Sequence, residues 1–418
     1  MSEPGPHRDA VETPGLLSWM LGPFRDRTFL CAALWILLVG VCLRLILMYH
    51  AKPLWTVADS RDYHDFARSL LEGRGFCQVY EGERSAFRGM TFYAYRMPGY
   101  PVLLAAVYSL LGWHAWAGML LNLLADIVTA FGLAIVGYHL YGRGAALWTQ
   151  GLWAVHAFWT PSLLSESVFT ALMLTLVLLL VHGLPLRSGS GATVYGVFTC
   201  ATAFVRPVGL CMYLPFGLKL LRQPYAFQRK LLLVALAALP TLAGVSLWGW
   251  RNYRRLGHPV LFATMQGRVA AKDYGIHFEH VYRECRARGG NEADADRILK
   301  QMVRATIRER PGQALRMYRD HALQLFRLRP KRDYGFMHLQ FQFGGSAQPP
   351  WLLRLVKALY WQYYATYLLA AGGVILLLWR RRPCFDVLAA LASYVLLHAA
   401  VARSTIRYAA PLYPLLSL

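Results

Sequence analysis

Carboxylates and guanidinium groups are scarce in the long apolar stretches of this chain, and the few that fall there are the side chains best able to do chemistry. Essentially two acids, Asp126 and Glu166, lie at membrane depth. An ionisable group there costs about 2.5–3.5 kcal/mol or more, so function is the default reading. Glu166 follows Pro161 at a helix junction, where it could also be interfacial, and Asp126 could simply bond a neighbouring helix or Asn122. The cations in apolar sequence are Arg44, Arg206, Arg403 and Arg407. Arginine is always charged and offers a fork that matches phosphate. Arg206 sits mid-run in Thr202-Ala-Phe-Val-Arg-Pro-Val, where a Pro-broken helix opens its backbone to a water-filled cavity. Arg403 and Arg407 precede Tyr408-Ala-Ala-Pro, and snorkelling to headgroups would also explain them.

Most other acids lie in a polar tail and two polar loops. The loop from Ala51 to about Met97 holds Asp59, Asp62, Asp65, Glu72, Glu81 and Glu83. Asp59, followed by Ser60, reads as the cap of a short helix whose apolar positions are Phe66, Ala67, Leu70 and Leu71. Its functional reading is a general base at the membrane surface. Asp62 and Asp65, one turn apart, read as water-facing or capping residues.

The elements that position these groups follow from composition. Of 418 residues, 56% are hydrophobic and 16% charged, against about 45–50% and 25% in soluble domains. The excess is gathered in runs of membrane-spanning length, which excludes a soluble enzyme, a disordered chain and a coiled coil. Apolar runs cover Phe29 to about Tyr49, then about 116–140, 145–161, 163–184, 193–206, 208–222, 231–250, 356–379, 385–402 and 408–418, the last short for a span. The segment 99–112 is expected to be a juxtamembrane or re-entrant helix, and 193–222 two short helices broken near Arg206-Pro207. Lys and Arg total 44 against 22 acids, a net charge of +22. The basic residues sit in short connectors, as the positive-inside rule and contact with anionic lipid require, and no nucleic-acid partner is expected. Arg25 and Arg27 place the N-terminus in the cytoplasm, with Tyr141-Gly142-Arg143, Arg187, Lys219 to Lys230 and Arg380 to Arg382. Loop 51–97, the turn holding Ser165-Glu166 and the segment from about 251 to 350 then share the outer side. The part from Asp294 to Leu328 reads as two helices split at Pro311 and suits the membrane surface. The expected division is a cytoplasmic tail (1–28), a transmembrane module (29–250) including loop 51–97, an outer helical segment (251–350) and C-terminal transmembrane helices (351–418). Cys77 and Cys285 fall in the two outer loops, where a disulfide between them is compatible with their shared side. No zinc-type spacing, P-loop or dinucleotide fingerprint is present.

An ordered set of motifs runs over roughly residues 29–418: Asp59-Ser60 with Tyr63, Leu71-Glu72-Gly73-Arg74-Gly75-Phe76, Arg96-Met97-Pro98-Gly99-Tyr100-Pro101, Leu140-Tyr141-Gly142-Arg143, Pro161 with Leu164-Ser165-Glu166, and Arg206-Pro207. Trp250-Arg251-Asn252-Tyr253 with Gly257-His258-Pro259, and Arg407-Tyr408 with Pro411 and Pro414, complete it. As a whole the set resembles the GT-C glycosyltransferases, the protein O-mannosyltransferases and aminoarabinose–lipid A transferases in particular. The resemblance implies an all-α GT-C bundle, a polyprenyl-phosphate sugar donor and inverting transfer on the outer face. It assigns the catalytic acid to Asp59, the second acid to Glu166 and phosphate binding to Arg206, Arg407 and Arg403, with Tyr63, Arg96 and Tyr100 shaping the site. Protein O-mannosyltransferases carry an adjacent Asp-Glu pair and a large lumenal domain; Ser60 and the lean outer segment depart from both, and tilt the expected acceptor toward a glycolipid or polysaccharide. No metal cluster is evident, although a divalent cation (Mg or Mn) bridging Asp59 and Glu166 fits some members of the superfamily. The competing readings are a lipid-linked sugar transporter, which would show two-fold internal repeats, and a non-catalytic subunit of a cell-envelope assembly, which would not need Asp59, Glu166 and Arg206 together. The lean architecture points to a bacterial inner membrane.

Overall fold

A computed structural model describes residues 14–51, 58–80, 87–157, 160–326, 349–379, 385–401 and 412–418. In chain order, α1 (Leu16–Leu21) and α2 (Arg27–His50) lead to α3 (Ala58–Leu71) in the first polar loop, then β1 (Gln78–Val79) and β2 (Thr91–Phe92). The bundle continues through α4 (Gly99–Leu111), α5 (Ala115–Tyr141), α6 (Arg143–Val155), α7 (Glu166–His182), α8 (Leu184–Arg187), α9 (Gly189–Val205), α10 (Tyr213–Leu221) and α11 (Phe227–Leu256). The second polar segment forms α12 (Met265–Asp273), α13 (Phe278–Ala287), α14 (Glu292–Glu309) and α15 (Pro311–Phe326), and the chain ends in α16 (Pro350–Trp379), α17 (Phe385–Val401) and α18 (Leu412–Ser417). The fold is therefore helical throughout, with one addition: β1 and β2 pair antiparallel, Gln78 opposite Phe92 and Val79 opposite Thr91.

Among the described residues, α2, α5 and α11 are long and apolar enough to cross a bilayer, and the chain is an integral membrane protein. At the centre of the bundle, α7 is buried along nearly its whole length, Glu166, Ser167, Thr170 and His182 included. Its two ends are tied by charge. Glu166 meets Arg206 at one end, while at the other Lys219 donates to Leu180 O and pairs with Asp386, both at 2.6 Å. The breaks expected from proline are present. Arg206 is extended (φ −148°, ψ 126°) between α9 and a 3₁₀ turn, Pro207–Met212, as a residue before proline prefers, and Pro311 separates α14 from α15.

Asp126 does not bond Asn122. It bonds a neighbouring helix, the other reading: Arg44 on α2, 1% exposed, donates from Nε to Asp126 Oδ2 at 3.0 Å, and Thr160 Oγ1 donates to the same oxygen. The remaining Arg44 donors reach the carbonyls of Gly40, Ala154, Trp153 and His156 at 2.9–3.1 Å, joining α2, α5 and the end of α6. Gly40 permits the approach, since a Cβ there would lie 2.6 Å from Trp153. Removing one member of a buried pair leaves a charge without compensation. Arg44→Leu is expected to destabilise the bundle by about 3–5 kcal/mol, and Arg44→Leu with Asp126→Leu to recover most of that loss. Thermal unfolding in nanodiscs checks this; equal losses in the single and double variants would contradict it.

The two polar loops build a second apolar core. Phe66, Phe76, Phe87, Phe92 and Tyr95 from residues 58–97 pack with Trp248, Ala271, Tyr282, Cys285, Leu299 and Val303. The segment from Val260 through α14 is thus a folded cap on one end of the bundle, while α15 returns to the bundle core through Leu325. Cys77 and Cys285 are both buried and both free, and Cys77 Sγ instead lies 3.1 Å from Ser69 Oγ. No disulfide joins them.

Candidate active site

The site begins in the first turn of α3. Asp59 lies inside the helix, one residue after its start, and is not the cap. Asp62, three residues on, shares its face. It does not face water but is 6% exposed, because a cation from elsewhere in the chain covers it. Arg96, on the stretch between β2 and α4, reaches both acids. Its Nε and Nη2 donate to Asp62 Oδ2 at 2.9 and 2.6 Å, and Nη2 also donates to Asp59 Oδ1. Gln78 Nε2 donates at 3.2 Å to Asp62 Oδ1 and to Asp65 Oδ2. Asp62 is thereby engaged on both oxygens. The Asp59 side chain is 22% exposed against 9% for Asp62, so Asp59 is the carboxylate within a ligand's reach. Burial alone would lower the Arg96 guanidinium, but Asp59 and Asp62 raise it well above its ordinary value.

Tyr63 connects this group to the bundle. Its ring lies 5.4 Å from the Arg96 guanidinium carbon, and its hydroxyl is 3.4 Å from Ser165 Oγ. Ser165 Oγ accepts from Arg206 Nε at 2.9 Å, and Arg206 Nη2 donates to Glu166 Oε1 at 2.5 Å. Asp59, Arg96, Tyr63, Arg206 and Glu166 therefore belong to one continuous chain of contacts. Tyr100 stands behind it, edge-on to Tyr63 with ring centroids 5.0 Å apart. Its hydroxyl donates to Asn122 Oδ1 at 3.1 Å, and Asn122 Nδ2 donates to Ser162 O at 2.5 Å, fixing the turn that delivers Ser165 and Glu166. Gly99 explains the Pro-Gly-Tyr sequence. A Cβ at this position would lie 2.7 Å from the backbone of Phe204, so only glycine lets the start of α4 touch the end of α9 beside Arg206.

Arg403 and Arg407 lie outside the described residues. Asp59 and Glu166 are each held by a separate arginine, so an ion bridging them would displace two guanidinium groups. Among the described residues no three His, Cys, Asp or Glu side chains cluster as metal ligands. The nearby His64 is an unsuitable base: burial, reinforced by Arg68, lowers it to about 3, and it stacks on Trp113 with centroids 4.7 Å apart.

Three residues matter here in other ways than the sequence suggests. Asp62 reads from sequence as water-facing or capping, Asn122 as a bonding partner of Asp126, and Glu292 carries no signal. Glu292, at the start of α14, is 0% exposed. Its Oε1 accepts from the backbone N–H groups of Tyr93 and Ala94, the latter at 2.8 Å, and its Oε2 accepts from Thr264 Oγ1 at 2.5 Å.

No family model matches the sequence, and no curated protein matches it. The structure, by contrast, is similar to the oligosaccharyltransferase of Archaeoglobus fulgidus in its apo form, with TM-score 0.51 and 12% identity over 96% of this chain. The chain spans about half of that protein's length, 51%. ArnT from Cupriavidus metallidurans, solved with undecaprenyl phosphate, aligns at TM-score 0.40 and 14% identity over 92% of this chain and 77% of its own. The helical bundle, with the polar segment packed on α3 and the β1–β2 pair, thus shares the fold of that archaeal oligosaccharyltransferase.

Proposed function

We propose that this protein is an inverting glycosyltransferase that moves a sugar from a polyprenyl-phosphate carrier to a hydroxyl acceptor on the outer face of the membrane. The observation that carries this reading is the unbroken path from Asp59 through Arg96, Tyr63 and Ser165 to Arg206 and Glu166 at one end of a GT-C bundle. The acceptor oxygen attacks the sugar C1 and bonds to it, the C1–O bond to the phosphate breaks with its electron pair on the phosphate, and the acceptor proton passes to the Asp59 carboxylate. The group that gains charge is the departing phosphate, and fixed cations stabilise it best where water is excluded. Arg206 takes that role, aimed by Ser165 and Glu166; Arg403 and Arg407, which lie outside the described residues, are proposed for phosphate binding from the sequence alone. Asp62 keeps Arg96 in place and so fixes Asp59. The N-terminus is cytoplasmic in this reading, and a glycolipid or polysaccharide is the favoured acceptor. A divalent cation would supply further charge to the phosphate, but no step here depends on it.

Native mass spectrometry of the purified protein tests the donor class. A bound polyprenyl phosphate, lost in Arg206→Ala, is the expected result. Retention of bulk phospholipids alone would overturn the assignment.

A further inference from the structure

The outer segment does more than cover the bundle. Glu292 holds the two amides that stand just before Arg96, and three further contacts grip the same stretch. Thr264 N donates to Ala94 O at 2.8 Å, and Arg251 donates to Tyr93 O. Arg96 Nη1 lies 2.9 Å from Met265 Sδ. Thr264 and Met265 also sit against α14, where Gly267 N donates to Asp296 Oδ1 at 2.8 Å. A buried carboxylate accepting two consecutive backbone amides defines their direction, because both donors would otherwise be unsatisfied in a dry interior. We infer that Glu292 is a positioning residue for sugar transfer: by clamping the Tyr93 and Ala94 amides it sets Arg96, and through Arg96 it sets the Asp59 carboxylate. The inference rests on the transferase reading for its effect on rate, but the clamp itself is independent of that reading.

The chemistry of the clamp separates two variants. Glutamine can keep the arrangement, with its oxygen accepting from both amides and its Nε2 donating to Thr264 Oγ1. Leucine removes every acceptor. Burial raises the Glu292 carboxyl to about 7, the Thr264 and backbone bonds opposing it and Asp296 on α14 adding to it. Arg251 on α11 and Tyr282 on α13 are the other ionisable neighbours. An acid whose folded value is raised holds its structure best below its ordinary value, and loses that advantage as pH rises through the folded value. The native protein therefore loses stability between about 4.5 and 7, as Glu292→Gln does not, while the amide and Thr264 bonds themselves favour the ionised carboxylate and keep the clamp closed.

The experiment has two arms on the full-length protein in nanodiscs. In the first, hydrogen exchange is followed at residues 91–97 and in the first turn of α3. Glu292→Leu is expected to speed opening of both by about tenfold, Glu292→Gln to restore protection, and Glu292→Leu with Arg96→Ala to add nothing in α3 beyond Arg96→Ala alone. In the second, turnover of a synthetic polyprenyl-phosphate mannose is measured. The leucine variant is expected to lose about 100-fold in kcat with KM for the donor unchanged, and the glutamine variant to keep the rate. Unaltered exchange in Glu292→Leu would overturn the clamp. Altered exchange with unaltered kcat would overturn its role in transfer. Failure of native protein to turn over any lipid-linked sugar would instead count against the transferase reading and leave the exchange result standing.

Discussion

Asp59→Asn is expected to slow sugar transfer about 10²–10⁴-fold, the range a positioned general base contributes, while the protein still inserts and unfolds at nearly the native temperature. The substitution keeps the size of the side chain and an oxygen that can accept from Arg96; it removes proton acceptance and one of the two charges beside that guanidinium, whose more buried partner, Asp62, remains. No neighbour can take over. Asp62 is engaged by Arg96 and Gln78 on both oxygens, and His64 is held near 3 by burial. Asp62→Asn should behave differently. It removes the more buried of the two charges on Arg96, the one bonded on both oxygens, so its loss of activity should come with a larger loss of stability. Transfer rates measured beside thermal unfolding separate the two aspartates. Native rates in Asp59→Asn would remove the base from the mechanism.

How much of this was visible beforehand depended on the range of the interaction responsible. Proline acts on its own neighbours, so the break at Arg206-Pro207 and the split at Pro311 were legible residue by residue. Apolar length gave the membrane helices for the same reason. Partners distant in the chain were not legible. Asp126 finds Arg44 82 residues away and Asp62 finds Arg96 at a distance of 34, and neither spacing carries a periodic signal. Glu292 was the most hidden. At the start of a helix it looks like an acid complementing the dipole, next to a capping box formed by Asn291 and Asp294. Only the shared core of the two polar loops turns it inward. The same packing explains why the outer segment, rich in arginine and read as a surface element, is a folded cap.

The Arg206–Glu166 pair provides the second large expected effect, because it joins stability and binding in one contact. Glu166 is 1% exposed at its side chain and Arg206 11%. Arg206→Ala removes the guanidinium 2.5 Å from a buried carboxylate and should destabilise the protein by about 3–5 kcal/mol. It should also abolish retention of the lipid phosphate. Glu166→Gln should be milder in stability, since the amide oxygen still accepts from Arg206 and no buried anion remains. The informative variant is the double replacement Arg206→Met with Glu166→Leu. An apolar pair of similar volume can match or exceed the stability of a buried ion pair, so unfolding should return toward the native temperature. Donor retention should not return, because methionine offers phosphate no donor. A purely structural pair would predict recovery of both. The comparison therefore decides whether Arg206 is present to hold α7 against α9 or to meet a ligand, and the expected answer is stability restored with binding still lost.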